Sequence, residues 1–438
     1  MSKFREHPLR KGLAEEVHAR PYGLLRPPVC VSHLAVLSGE GAPQGDCRHV
    51  QLLCRHFKVA GPENGANHYS SPLDTLDGRE LRFKWERHTE FSSYTFYLTG
   101  RSEPPFADNA IDRIPDDWLA GLPGEVLAAT HLALEPVDAP ERDFAGLAKL
   151  FADNTVTGSG MRNGTALVWT DFRLHDDGFN RILVRDSGMN QRQAGRLVQR
   201  LLEVGTYRMM AMLAFPVARQ VLPKLAQYER TLSDLIGRMD SAETGNDERD
   251  ALKSLTNLAA EIEALSLASN YRFTAARAYH TLVNRRIEDL REIRINDLNL
   301  IRGLQPPGEF VTRRLTPAMD TCRSASARLD TLSRRVGRAS DLLRTRVDVV
   351  LEEQNRDLLE SMDKRAKLQL RLQETVEGLS VVAISYYLLG LIAYAAKSAK
   401  ALGLHINTDI ATGLTLPIIV GLVWYAMRRF RRKLTKEQ

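Results

Sequence analysis

Two uncharged stretches near the C-terminus constrain this chain more than any other feature. Residues 379–396 read LSVVAISYYLLGLIAYAA and residues 410–427 read IATGLTLPIIVGLVWYAM. Each approaches the ~20 residues a helix needs to cross a ~30 Å hydrocarbon core. Buried core helices reach similar lengths, so the flanks decide. Tyr394, Trp424 and Tyr425 sit near the ends of the runs, where amphipathic rings favour a membrane interface. Arg428, Arg429, Arg431, Arg432 and Lys433 follow the second run, and Lys364, Arg365, Lys367 and Arg371 precede the first. Cationic flanks stay cytoplasmic. The expectation is a transmembrane hairpin (379–396 and 410–427) with a basic cytoplasmic tail (428–438). The connector carrying Lys397 and Lys400 lies on the far side, and the lipid bilayer is one partner. Residues 2–20 lack the apolar core of a signal peptide, which makes the hairpin the expected anchor and places both termini in the cytoplasm.

The rest of the chain has an ordinary folded composition, with 43% hydrophobic and 26% charged residues over 438 positions. Sixty Lys and Arg against fifty-four Asp and Glu leave +6, too thin an excess for a nucleic-acid binder. Cys30, Cys47, Cys54 and Cys322 form no disulfide framework, which fits a reducing compartment.

Residues 1–185 carry strand signals separated by turns. Stretches 29–37, 50–57, 81–88, 91–98, 126–134, 166–172 and 179–184 are rich in β-branched and aromatic residues. Leu81, Phe83 and Trp85 alternate with Arg82, Lys84 and Glu86, the period of a half-buried strand. Turns are expected at Asn163-Gly164 and Asp177-Gly178, and short helices at 10–18 and 144–151. These signals describe a mixed, largely antiparallel α/β sheet domain. Residues 186–378 read as helical. Pro216 is expected to kink or end a first helix, Gly245-Asn246-Asp247 to form a turn, and a second helix to run to about Leu300. A long stalk helix is expected from about residue 316, where Thr316-Pro317 supplies a cap and a first-turn proline. Leu329, Leu332, Val336, Leu343, Val347 and Val350 recur every three or four residues along it, and no turn separates it from the first span. A helix of ~80 residues cannot bury such a stripe alone, so neighbours are required. The expected fold class is an α+β membrane protein.

Few constellations point to chemistry. Cys47, His49, Cys54 and His56 form a C-x-H…C-x-H pattern in which the two members of each pair would share a strand face, but the spacing matches no zinc site, and no metal is expected. Glu86, His88 and Glu90 read as the wet side of a hairpin, without the nucleophile or pocket an enzyme needs. His7, His18 and Arg20 are dense in titratable groups but imply no reaction. Gly158-Ser159-Gly160 lacks the spacing of a phosphate or dinucleotide loop, and no cofactor is expected. On the first span Ser380, Ala383, Tyr387, Gly390 and Tyr394 fall on one helical face and are the candidate pore-lining residues. The same stripe also suits simple helix–helix packing.

Four stretches resemble a bacterial membrane-anchored family described as a domain of unknown function, common in proteobacteria and sometimes given an egg-lysin label. They are EHPLRKGLAEEVHARP (6–21), FKWERHTEFSSYTF (83–96), VWTDFRLHDDGFNRILV running on to QAGRLVQRLLEVGTYRMMAML (168–213), and ISYYLLGLIAY (384–394). The resemblance covers almost the whole chain, implies the bacterial inner membrane, and brings no activity with it. The overall order of sheet domain, stalk, two spans and basic tail is also similar to CorA-type magnesium channels. That likeness implies a homo-oligomer, a pentamer as in those channels, with first spans around a pore. Their Gly-Met-Asn motif is absent, since Tyr394-Ala395-Ala396-Lys397-Ser398 stands there. Lys397 and Lys400 would repel divalent ions at the mouth. The expected function is an oligomeric CorA-like membrane protein, an ion channel or transporter gated by its cytosolic domain. The alternative is a membrane-anchored scaffold or sensor without transport.

Overall fold

Alternation along residues 81–87 has the consequence its period demands: Leu81, Phe83 and Trp85 are fully buried, while the residues between them face the other side of a sheet. The computed structural model describes residues 7–11, 13–14, 22–38, 43–162, 164–240, 245–293, 303–401 and 408–434. They fall into two units, Met1–Asp240 with Lys253–Ala339, and Ser241–Leu252 with Ser340–Gln438.

The first unit is built on an eight-stranded sheet in the order β2-β3-β4-β1-β5-β8-β7-β6. The strands are β1 (Val29–Leu37), β2 (His68–Leu76), β3 (Arg79–Arg87), β4 (Phe91–Thr99), β5 (Glu125–Glu135), β6 (Thr157–Met161), β7 (Ala166–Thr170) and β8 (Asn180–Asp186). Neighbours run antiparallel except β5 and β8, which are parallel. One face packs Phe83, Trp85, Tyr94 and Phe96 against Trp118 and against Val50, Leu53 and Cys54 of helix α1 (Pro43–His56). Trp118 stacks on His49 with centroids 4.4 Å apart and donates its indole N–H to the His49 carbonyl at 2.9 Å.

Several expectations are corrected here. Residues 50–56 are helical rather than a strand, because Val50, Leu53, Cys54 and Phe57 repeat at three and four. Helix geometry buries Cys47, His49 and Cys54 and leaves His56 exposed, so the four share no face. Strands β2 and β6, at the two edges of the sheet, were not expected. Pro72 sits at a register shift in β2, the edge placement a strand proline needs. Gly158 to Gly160 belong to β6, where Trp169 packs too close to leave room for a side chain at Gly158. Residues 10, 11, 13 and 14 are helical; His18, Arg20 and Asn163 lie outside the described residues.

The other helices are α2 (Asp116–Ala120), α3 (Phe144–Leu150), α4 (Gln191–Met212), α5 (Ala214–Asp240), α6 (Gly245–Leu290), α7 (Pro307–Ala401) and α8 (Thr408–Leu434). Asn190 and Gln193 form a reciprocal capping box that starts α4. That helix ends four residues before Pro216, whose missing N–H and ring oppose the Met212 carbonyl. Gly245-Asn246-Asp247 opens α6 rather than preceding it, and α6 ends at Leu290, short of the expected 300. Helix α7 starts at Pro307, not at Thr316, and carries Pro317 in its body. A proline at the first helical position needs no N–H partner, so Pro307 serves as the start.

Among the described residues two helical stretches are long and apolar enough to cross a membrane, Gln191–Arg238 and Pro307–Ser398. Half of the first apolar window is buried, against 6% of the second. Gln191–Arg238 was not expected among them, and its burial has a source within the unit: Leu197, Val198, Leu201 and Leu202 are covered where α4 packs on the sheet.

Candidate functional site

The second face of the sheet is polar at its centre. Register places Lys84 of β3, Thr95 of β4, His33 of β1 and Thr130 of β5 side by side in one row. Helix α4 packs over this row, where Thr206 reaches His33, and α6 brings Arg286 beside it, so it is not the wet side of a hairpin. A cavity of about 250 Å³ remains between them, lined by His33, Lys84, Glu86, Ser93, Thr95 and Tyr97 from the sheet. Gln199, Leu202, Glu203, Thr206 and Tyr207 of α4 and Arg286 of α6 complete it, together with His88 and Phe91.

Each polar wall is held by a specific partner. His33 bridges three elements: Nδ1 lies 2.8 Å from the Thr95 hydroxyl and Nε2 lies 3.1 Å from the Thr206 hydroxyl. Burial, followed by the charges of His88 and Lys84, pushes its pKa down to about 3, so the ring is neutral at pH 7. Both nitrogens are engaged, which makes His33 a strut rather than a free base. Lys84 and Glu86 pair at 3.0 Å with side chains only 11% and 12% exposed. Arg286 pairs with Glu203 across the cavity wall and reaches Asp289 at 3.2 Å. Burial raises the Tyr97 and Tyr279 hydroxyls above their usual range, reinforced by Glu86 and Glu90 respectively.

An aromatic wall closes one end. His88 stacks on Phe91 at 4.3 Å, and Phe91 meets both Tyr207 and Tyr279 at 6.4 Å. Arg272 of α6 pairs with the buried Glu90 at 2.6 Å, tying the β3–β4 turn to the helix. The walls offer paired charges, hydroxyls and ring edges to a small polar molecule. Among the described residues no group of three or more His, Cys, Asp or Glu could hold a metal ion.

Sequence reasoning singled out Glu86, His88 and Glu90 but missed His33, Lys84, Glu203 and Arg286. A usable signal was present in α4, where polar Gln199, Glu203 and Thr206 recur at four and three beside the apolar face of Leu197, Val198, Leu201 and Leu202.

The residues expected to line a pore lie on α7 in the second unit. Tyr387 and Tyr394 are both 72% exposed, and Ser380 returns its hydroxyl to the Val376 carbonyl at 2.8 Å. Ala383 is exposed and Gly390 half-buried. The covered positions along the run include Ser380 and Gly390 together with Val381, Ser385, Leu389, Ile392, Ala393 and Ala396 on α7, and Thr412, Thr415, Ile419, Val423 and Met427 on α8. The Ser385 hydroxyl is buried without a partner, so it does not bond back to its own helix as a serine there can. Arg428 lies 5.0 Å over the Trp424 ring, and Lys397 and Arg429 are exposed. The side chains of Lys400, Arg431, Arg432 and Lys433 lie outside the described residues.

Residues 5–434 match the family described as Protein of unknown function (DUF3422), and the chain belongs to it. No curated protein and no solved structure matches the chain.

Proposed function

We propose that this member of the DUF3422 family is a membrane-anchored, self-associating sensor that binds a small polar ligand on its sheet unit without transforming it. The observation that carries the reading is the apolar window of α7, of which only 6% is buried. Uncharged helix surface of that length has no favourable place in water, and a bilayer supplies one. Helix α8 carries the second run and ends among Arg428, Arg429, Arg431, Arg432 and Lys433, which hold that end at the cytoplasmic face of a bacterial inner membrane.

Self-association rests on the segment between the sheet unit and the span. From 351 to 379, Leu351, Asn355, Leu358, Met362, Arg365, Gln369, Leu372, Val376 and Leu379 follow a heptad spacing of four and three. Of the twelve charged residues in this stretch, Glu353, Arg356, Asp357, Glu360, Asp363, Lys364, Lys367, Arg371, Glu374 and Glu377 fall on the outward heptad positions, Glu352 flanks the seam and Arg365 lies on it. Leu358, Met362, Leu372 and Val376 are 58–67% exposed in the single chain. Copies of the same helix bury this seam, and Leu359, Ala366 and Leu368 beside it widen the apolar face toward an assembly larger than a dimer.

A gated channel of CorA-like build, a pentamer around its first spans, is the second reading. It is favoured by the uncovered Tyr387 and Tyr394, whose hydroxyls need water or a partner within a bilayer. The sensor reading accounts for the cavity on the sheet and needs no selectivity motif.

Extraction and cross-linking test both readings. The full chain should stay in membranes washed at alkaline pH, and a chain cut before residue 379 should be released; release of both removes the anchor. Cysteine at Tyr387 cross-linking between copies, with none at Leu389, would favour the channel. Equal cross-linking at the two positions removes the pore-lining role.

A further inference from the structure

Beside the cavity, and sharing Arg286 and its partner Glu203 with it, arginines from three elements converge. Arg196 and Arg200 stand one turn apart on α4. Arg162 follows the last residue of β6 and Arg291 follows the last residue of α6, each in the left-handed backbone region at φ 50°. The Arg162 N–H donates to the carbonyls of Leu290 at 3.1 Å and Arg291 at 3.2 Å, which pins the two element ends together. Non-glycine residues adopt that conformation sparingly, so its occurrence at both arginines marks a junction held by its surroundings.

The charges do not balance. Arg200 lies 3.4 Å from the Asp289 carboxylate, and Arg286 takes the same oxygen at 3.2 Å while also engaging Glu203. Among the described residues, five guanidiniums (162, 196, 200, 286, 291) against two carboxylates (203, 289) leave a net +3. Glu292 next in the chain turns away, accepting the Gly308 N–H at 2.8 Å. Arg196 is held over the Tyr22 ring and donates to its hydroxyl at 2.9 Å. The Arg162 Nη1 is buried with no partner among the described residues. Burial and the charges of Arg196, Arg200 and Arg291 together lower the Arg162 pKa, the direction expected of a cation held among cations.

We propose that Arg162, Arg196, Arg200 and Arg291 form an anion site that takes a phosphate group, carried either on a soluble molecule or on a lipid headgroup. Phosphate suits the set because its oxygens accept paired N–H bonds from several guanidinium forks at once, and its charge offsets the excess. The site is independent of the cavity ligand.

The test uses the full chain in phosphatidylcholine nanodiscs, with inorganic phosphate titrated against chloride at matched ionic strength. Phosphate should raise the thermal midpoint saturably where chloride does not. Arg200→Gln and Arg196→Gln should each raise the half-saturating concentration at least tenfold, and Arg162→Gln likewise if it folds. In a second arm, nanodiscs containing phosphatidic acid replace free phosphate. Stabilisation of the wild type over Arg200→Gln in this arm assigns the lipid source, and its absence alongside a free-phosphate effect assigns a soluble one. A phosphate effect no larger than that of chloride, or one unchanged in the Arg200 and Arg196 variants, overturns the proposal.

Discussion

At the scale of single residues, His33 shows how a polar group is kept in a sheet interior. Its two nitrogens are matched by two hydroxyls from different elements, so burial costs little while the ring stays neutral. Protonation reverses this. With the folded pKa at about 3 and the ordinary value at 6.5, the unfolded chain binds the proton first as pH falls. His33 therefore has no destabilising effect above about pH 6.5, and stability is lost progressively as pH drops from there toward 3. His131, lowered by burial to about 4, acts in the same direction. The slope attributable to one such histidine reaches at most about 1.4 kcal/mol per pH unit. Urea midpoints measured from pH 4.5 to 7 should fall less steeply with acid in His33→Gln than in the wild type. Parallel curves for the two proteins would mean that His33 titrates normally.

At the scale of elements, α1 separates what was readable from what was not. A strand over 50–57 puts Val50 and Leu52 on one face, whereas the helix buries Val50 completely and leaves Leu52 48% exposed. Val50→Lys should therefore cost several kcal/mol or abolish folding, because it buries an unpaired charge, while Leu52→Lys should change stability by about 0.5 kcal/mol or less. Thermal midpoints of the two variants check this, and equal damage would restore the strand. Strands with strict alternation or dense aromatic content were legible, as β3 and β4 show. Edge strands were not: β2 carries a proline and β6 two glycines, and both depend on neighbours to become strands. The cavity was legible only in part for a related reason. Lys84 and Glu86 look solvated in a strand taken alone, and only the packing of α4 and α6 makes them walls of a site. His33 stands in an apolar strand where local pattern gives it no role; its partners come from residues 95 and 206, far along the chain.

At the scale of the whole molecule, self-association and anchoring carry the account. Leu372 lies on the proposed seam and Leu370 on its outer side, although both are exposed in the single chain, at 67% and 58%. Leu372→Glu should lower the oligomer mass in light scattering of the solubilised protein, and Leu370→Glu should leave it unchanged; the opposite pattern would place the seam elsewhere. The central claim is that the run 379–396 crosses a bilayer and the chain returns through 410–427. Membrane-impermeant maleimide labelling of single cysteines, placed in a background lacking the four native ones, tests it most directly. Cysteine at Gly403 should label in intact cells, and cysteine at Gln438 only after the membrane is opened. Protection of Gly403 in intact cells, with labelling of both positions after lysis, would contradict the hairpin.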